Sequence, residues 1–332
     1  MSDIRRREFV LGAAAVLGAS ATSAANAQQL RKVSFITPIG YLIGFAPAFN
    51  AQAGGHFAKL GLDVTMLPGK GSAVAVQQVV AGRAIYGRGD PIAMAKSIVE
   101  GAPIIAFATI EHTSPIFIYS SPKNPVRSAK DLVGKMIGIA AKGSASDNIL
   151  DMILALNGLP PDAVRREAIG NSPGGWGLIQ QGRVDAHIVS LGTTTMLKES
   201  GEDIVVWKTS DAVAMPGQAY FALQDTVKND PKVLLDILRA TKASILEIKK
   251  ADGRMIVERL AKNWEIEGAQ NVDFTVKSMR DEEVLWWQDD PAKLLKNDPV
   301  SWKSMVDAML KANLLKSGAP SDFYTDAIVS QL

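Results

Sequence analysis

The sequence predicts an α/β protein built from two similar lobes. Strand-like runs alternate with short helix-like runs from residue 32 onward, the order that parallel βαβ units produce. The order restarts near Asp131, and both halves carry the same parts in sequence: strand, Gly-Ser-Ala, helix, Gly-Arg, strand. The 332 residues suffice for about two domains, and the 47% apolar and 21% charged content excludes a disordered chain.

The elements follow in order. Residues 32–37 form a β-rich run closed by Pro38 and Gly40. Residues 45–59 suit a helix with Phe45, Phe49, Ala53 and Phe57 on one face, weakened by Gly54 and Gly55 and stopped by Gly61. A second strand at 62–67 leads through a Gly-Lys-Gly-Ser turn into a helix at 73–81. A strand at 84–87, a helix at 92–100 and a strand at 104–110 complete the first series. The second series has strands at 136–140, 164–169 and 184–190, with helices at 145–157 and 176–181. Two further β-rich segments, 115–120 and 219–222, read as crossings between lobes. This divides the chain into one lobe of 30–117 with 220–332 and another of 118–219. Beyond Asp230 helices are expected at 231–248, 254–263, 281–288, 300–312 and 322–331, covering the back of the first lobe.

Composition narrows the function. With 36 basic against 34 acidic residues the net charge is +2, too balanced for a nucleic-acid binder. The chain has no Cys, which removes disulfide scaffolds, Cys-ligated metals and thiol nucleophiles, and its three His do not suggest a metal site. No cofactor or metal is expected. Residues 1–27 read as an export signal: Arg5-Arg6-Arg7, a mild apolar run, then Ala25-Asn26-Ala27 before Gln28. The paired arginines before Glu8-Phe9 suggest the twin-arginine route, with an ordinary secretory signal as the alternative. Cleavage after Ala27 and a periplasmic location follow from this expectation.

Several residues are placed to carry chemistry. Gly71-Ser72-Ala73 and Gly143-Ser144-Ala145 each lie between a strand and a helix, where glycine lets a ligand approach and helix N–H groups are free. The serines read equally well as helix caps. Tyr41 follows the first strand, and ligands in open parallel sheets sit beyond such strand ends. Ser172 and Trp176 lie on a glycine-rich turn, where Trp is either core or a stacking surface. Arg88, Gly89 and Asp90 end the third strand. Arg88 interrupts an apolar run and needs a partner, either Asp90 or Glu111 within the fold or an anionic ligand. His112 and Tyr220 are further candidates for the cleft wall. The run Asp281-Glu282-Glu283 reads as the solvated face of a helix, with Trp286-Trp287 packed beside it. No nucleophile elbow, zincin motif or Walker loop is present, so no turnover is expected.

The runs FAKLGLDVTMLPGKGSA (57–73), VVAGRAIYGRGDP (79–91), DLVGKMIGIAAKGSAS (131–146) and LIQQGRVDAHIVS (178–190) resemble periplasmic solute-binding proteins of ABC importers. The resemblance is to the nitrate/sulfonate/taurine group, which includes binders of thiamine-pyrimidine precursors, and it covers about residues 31–250. It implies a type II periplasmic-binding fold: two mixed sheets flanked by helices, with a ligand cleft between lobes. It also implies a monomer that hands one small organic solute to an ABC permease and ATPase. The resemblance maps ligand contacts onto Gly40-Tyr41, Gly71, Ser72, Ala73, Gly89-Asp90, Ser144 and Ala145. Arg88 stands where the group more often has an apolar residue. The solute is expected to be anionic or aromatic: a sulfonate, a carboxylated aromatic or a pyrimidine. An exported enzyme on the same scaffold, like the eukaryotic pyrimidine synthases, or a sensor for a signalling receptor are the alternatives. Those synthases rely on a cysteine-rich motif that this chain lacks.

Overall fold

The computed structural model describes residues 29–287 and 290–332. The expected export segment and Asp289 lie outside the described residues.

Two five-stranded mixed sheets organise the chain. The first has the order β3 (Leu62–Leu67), β1 (Arg31–Ile36), β5 (Tyr86–Gly89), β12 (Gln218–Leu223), β6 (Ile104–Glu111). Strands β1, β3 and β5 are parallel, and β12 runs antiparallel between β5 and β6. The second has the order β11 (Val205–Lys208), β7 (Ile116–Ser120), β10 (Ala186–Ser190), β8 (Met136–Ile139), β9 (Arg165–Ala168). There β8, β9 and β10 are parallel and β7 is antiparallel between β10 and β11. Each sheet therefore holds one antiparallel strand, β12 in the first and β7 in the second, inserted at an equivalent place. They cover the two β-rich segments read from the sequence, 115–120 and 219–222. A small hairpin pairs β2 (Ile39–Gly40) with β4 (Gly69–Lys70) at the mouth of the first sheet.

Helices cover both sheets. One core joins β1, β3 and β6 to α1 (Ala46–Ala53), α8 (Pro231–Lys250), α9 (Gly253–Ala261) and α10 (Val272–Trp286) through Phe35, Phe49, Phe107, Leu238 and Trp286. A second core packs α2 (Ser72–Val80), α3 (Pro91–Val99), α4 (Ala145–Leu156) and α11 (Pro299–Lys311) against facing sides of both sheets, through Phe221, Ile118, Leu150 and Trp302. A third, smaller core lies under α5 (Gly175–Gln180) and α6 (Leu191–Glu199). The short α7 (Gln224–Asn229) leads into α8.

Three sequence expectations change. The helix expected at 45–59 stops after Ala53, at the glycine pair. The helix expected at 322–331 is replaced by two 3-10 turns. The chain between them runs alongside β6, where Ala106 donates to Phe323 O at 3.1 Å and accepts from Thr325 N at 2.9 Å. The edge of that sheet is thereby covered. Helix α10 begins nine residues before its expected start, capped by Asn271, and its acidic run is not solvated: Glu282 and Glu283 are 4% and 5% exposed.

Candidate functional site

The carboxyl ends of β1, β8, β9 and β10 and the helices that follow them converge between the sheets. They enclose a cavity of about 50 Å³, with a smaller chamber of about 30 Å³ beside it that shares Leu42, Gly44, Asn171, Ser190 and Glu282 as walls. That is room for roughly four and two waters, a small solute's worth of space.

Local structure explains how the loops reach this place. Gly71 has φ of 124°, outside the range of ordinary residues, and turns the chain into α2 with Ser72 as its first residue. Ser72 Oγ accepts from Asp90 N at 3.1 Å, so the hydroxyl braces the exit of β5 rather than capping its own helix. Asp90 caps α3 through Ala93 N at 3.0 Å, and burial pushes its carboxyl above the ordinary range. In the second lobe Ser144 precedes α4 and its hydroxyl shares a 2.8 Å hydrogen bond with Ser146, whose oxygen accepts from Ala140 N at 2.9 Å. The two loops touch: Ala73 N donates to Gly143 O at 3.3 Å. Around them Asn148 Nδ2 reaches Asp90 Oδ2 at 3.2 Å, and Lys96 Nζ reaches Asp151 Oδ2 at 3.2 Å. The cleft is closed along this seam.

The opposite wall is acidic. Glu111, at the end of β6, and Glu282, on α10, both line the cavity. Glu111 pairs with Arg88, which is fully buried. The guanidinium also donates through Nε to Gln218 Oε1 at 2.5 Å and through Nη1 to Gly44 O at 3.0 Å, and it lies over the Phe45 ring at 4.7 Å. The second oxygen of Glu111, Oε2, is buried without a partner. Burial holds Glu111 above the ordinary carboxylate range although Arg88 pulls it down. Glu282 Oε1 accepts from Gly192 N at 3.0 Å, a carboxylate closing the N-terminus of α6 from another helix. Burial, followed by the charge of Glu111, pushes Glu282 up to about 8.

Of the residues singled out from the sequence, Gly71, Ser72, Ser144 and Ala145 line the cavity. Ala73, Gly89 and Asp90 stand directly behind it. The aromatic candidates are elsewhere. Tyr41 donates its hydroxyl to Met66 O at 3.1 Å and packs edge-on against Phe49. Trp176 belongs to the third core, its indole N–H on Glu202 at 2.5 Å. Tyr220 is buried, stacked on Phe107 and edge-on to Phe35 and Tyr86. Arg88 takes the intramolecular partner, not a ligand. His112 is half-buried at the end of β6, depressed by desolvation, and Ser172 is half-buried in its turn; neither lines either chamber. Neither Tyr41 nor Trp176 lines the two chambers, and the aromatic side chain among the described lining residues is Phe45.

Sequence reasoning missed Glu282, Asn171, Ser190 and Gln218 as lining residues. Asn171 Nδ2 donates to Ser190 Oγ at 2.9 Å and its Oδ1 accepts from Ser190 N at 2.9 Å, so the pair ties β9's exit to α6. Behind them His187 bridges Tyr119 OH at 2.9 Å and Gly170 O at 3.0 Å. Desolvation lowers this imidazole to about 4, so it stays neutral and holds the loop. One available signal for Glu282 was spacing: Thr275, Ser278, Glu282 and Leu285 share the face of α10 that turns inward.

Comparison with known proteins agrees with this architecture. Residues 43–251 match the model of a family described as NMT1/THI5 like. A solved structure from Bordetella bronchiseptica RB50 superimposes with a TM-score of 0.74 at 22% identity, covering 90% of this chain and 96% of that one. The periplasmic aliphatic sulphonate binding protein SsuA of Escherichia coli gives 0.64 at 14% identity, over 90% and 99%. The periplasmic nitrate-binding protein NrtA of Synechocystis PCC 6803 gives 0.69 at 13%, over 91% and 88%. No curated protein sequence matches the chain. The fold is that of the bilobal type II periplasmic binding proteins.

Proposed function

The chain belongs to the NMT1/THI5-like family, and from that membership and its cleft we propose that it is a periplasmic solute-binding protein that captures one small organic molecule and delivers it to an ABC permease. One observation carries the reading. The cavity lies between two lobes whose loops meet across it, Ala73 N on Gly143 O, so a solute held there is in contact with both lobes at once. Such a solute favours the closed state by its differential affinity for it. The contacts we assign are the Gly71-Ser72 and Ser144-Ala145 loops, with Gln218, Asn171 and Glu282 around them. Structural relatives that bind sulphonate or nitrate support capture of a small polar molecule. The binding is non-covalent and returns the solute unchanged.

Native mass spectrometry of the mature protein, purified without unfolding, tests this. The expected spectrum shows one solute per chain, released intact on denaturation. A chain that never retains a solute and binds none from a periplasmic extract overturns the reading, and so does steady conversion of the solute during incubation.

A further inference from the structure

Resting on the solute-binding reading, we infer that the solute carries a cationic or proton-sharing nitrogen group, an amine or amidine, which faces Glu282 and Glu111, and that the site is not built for an anion.

Three observations carry this. The first is the inventory of charges. Among the described residues lining the two chambers the ionisable groups are Glu111, Glu282 and Glu267, with no Lys, Arg or His. Arg88 stands behind this wall with its donors already directed to Glu111, Gln218 and Gly44. The second is the fate of the helix N-termini that would suit an anion. The first turn of α2 gives Ala73 N to Gly143 O, and that of α6 gives Gly192 N to Glu282. Two of the three dipole ends at the cavity, those of α2 and α6, therefore each give a first-turn N–H to one of the protein's own acceptors rather than to a solute. The third is an unmet acceptor: Glu111 Oε2 has no partner although the residue is 1% exposed. A buried carboxylate oxygen without a donor is costly, and a solute N–H supplies the donor. A sulfonate or nitrate would instead add negative charge next to two acids.

The groups facing Glu282 are Glu111 and Arg88 from the first sheet, Asp281 on its own helix, Glu267 ahead of that helix, and the Gly192 N–H of α6. The acids outnumber the single cation, so the pair holds a proton when the cleft is empty. A cation must displace that proton, and its affinity rises with pH.

The experiment uses the full mature chain and two probe series, n-propylamine with acetamidine and methanesulfonate with nitrate, read by thermal shift and calorimetry at pH 6 and pH 8. The expected result is a shift from the first series alone, stronger at pH 8, with proton release on binding. Glu282→Gln keeps the acceptor for Gly192 and should lose tenfold or more in affinity, about the loss of one charge-assisted contact. Should that variant fail to fold, the pH dependence and proton release of the parent decide. Binding of the anions, or amine binding indifferent to both pH and Glu282→Gln, overturns the inference. No shift from either series overturns it too. The solute-binding reading is then judged separately by native mass spectrometry, where any retained solute, whatever its charge, upholds it.

Discussion

Arg88→Met should destabilise the protein by about 3–5 kcal/mol at pH 8, because breaking a buried pair leaves one charge behind. The magnitude can be bounded from the structure. Arg88 is fully buried and its loss strands three acceptors, the Glu111 carboxylate, Gln218 Oε1 and Gly44 O. The stranded carboxylate has a way out, since it can take a proton. An unfolded glutamate ionises near pH 4.3, so holding Glu111 neutral costs at most about 5 kcal/mol at pH 8, whereas at pH 5 the parent already holds its raised carboxyl protonated and the variant adds no such cost. At pH 5 the remaining loss is that of the two neutral hydrogen bonds and the contact with Phe45, about 2 kcal/mol. Urea unfolding of parent and variant at both pH values reads this difference directly. The double variant Arg88→Met with Glu111→Leu should recover much of the loss at pH 8. A single variant within about 1 kcal/mol of the parent at pH 8 refutes the argument, and so does an equal loss at both pH values.

Ser72→Ala and Ser144→Ala should each weaken solute binding by about 0.5–1.5 kcal/mol in calorimetry, and Ser72→Ala should also lower stability because Asp90 N loses its acceptor; unchanged affinity in both removes the hydroxyls from the site. Gly143→Ala meets Ala73 Cβ at 3.2 Å across the seam, while its left-handed φ of 71° strains open and closed states alike. Its affinity should fall by roughly threefold and its stability by about 1 kcal/mol, and a change in stability alone would show that the seam does not form on binding. His187 is neutral in the fold with its pKa lowered to about 4, so between about pH 6.5 and 4 the unfolded chain holds a proton that the folded chain lacks. Stability from this group is present above that window and lost as pH falls through it, by about 3 kcal/mol in total; the stability curve of His187→Gln should lack this loss, and parallel curves would refute it.

The fold was readable because its two signals are local. Alternation of strand and helix and the repeated Gly-Ser-Ala and Gly-Arg punctuation are written along the chain, and β7 and β12 stand where it carries its two further β-rich segments. The site was readable only as far as it is built from loops. Ser72 and Ser144 sit at turns that glycine announces, and they line the cavity. Glu282 sits in an acidic run on a helix, and in isolation such a run is indistinguishable from a solvated face. What buries it is α6, which is 83 residues earlier at its end and approaches only once both lobes are assembled. The same holds for Trp176 and Tyr220. Each is an aromatic near a predicted strand end or crossing, and whether it faces ligand or core depends on which layer covers it.

Charge and closure are coupled in this cleft, and the coupling is measurable without a ligand. In an open cleft water solvates Glu111 and Glu282. Closing it empty removes that water while the two acids stay within reach of each other's charge. The seam opposes this with Ala73 on Gly143, Asn148 on Asp90 and Lys96 on Asp151, bonds that are each modest in net worth, about 1 kcal/mol. At pH 5 the raised carboxyls are protonated and the desolvation penalty is small. At pH 8 Glu282 ionises in half of the closed molecules or fewer, and the open state gains relative to the closed one by up to about 3–5 kcal/mol for a group ionising freely in water. That is enough to reverse a balance of a few hydrogen bonds. Small-angle scattering of the solute-free chain should therefore show a smaller radius of gyration at pH 5 than at pH 8. Glu282→Gln should stay compact at both. Identical scattering of the parent at the two pH values, with solute confirmed absent, would show that closure is set by the seam alone and that the acids do not govern it.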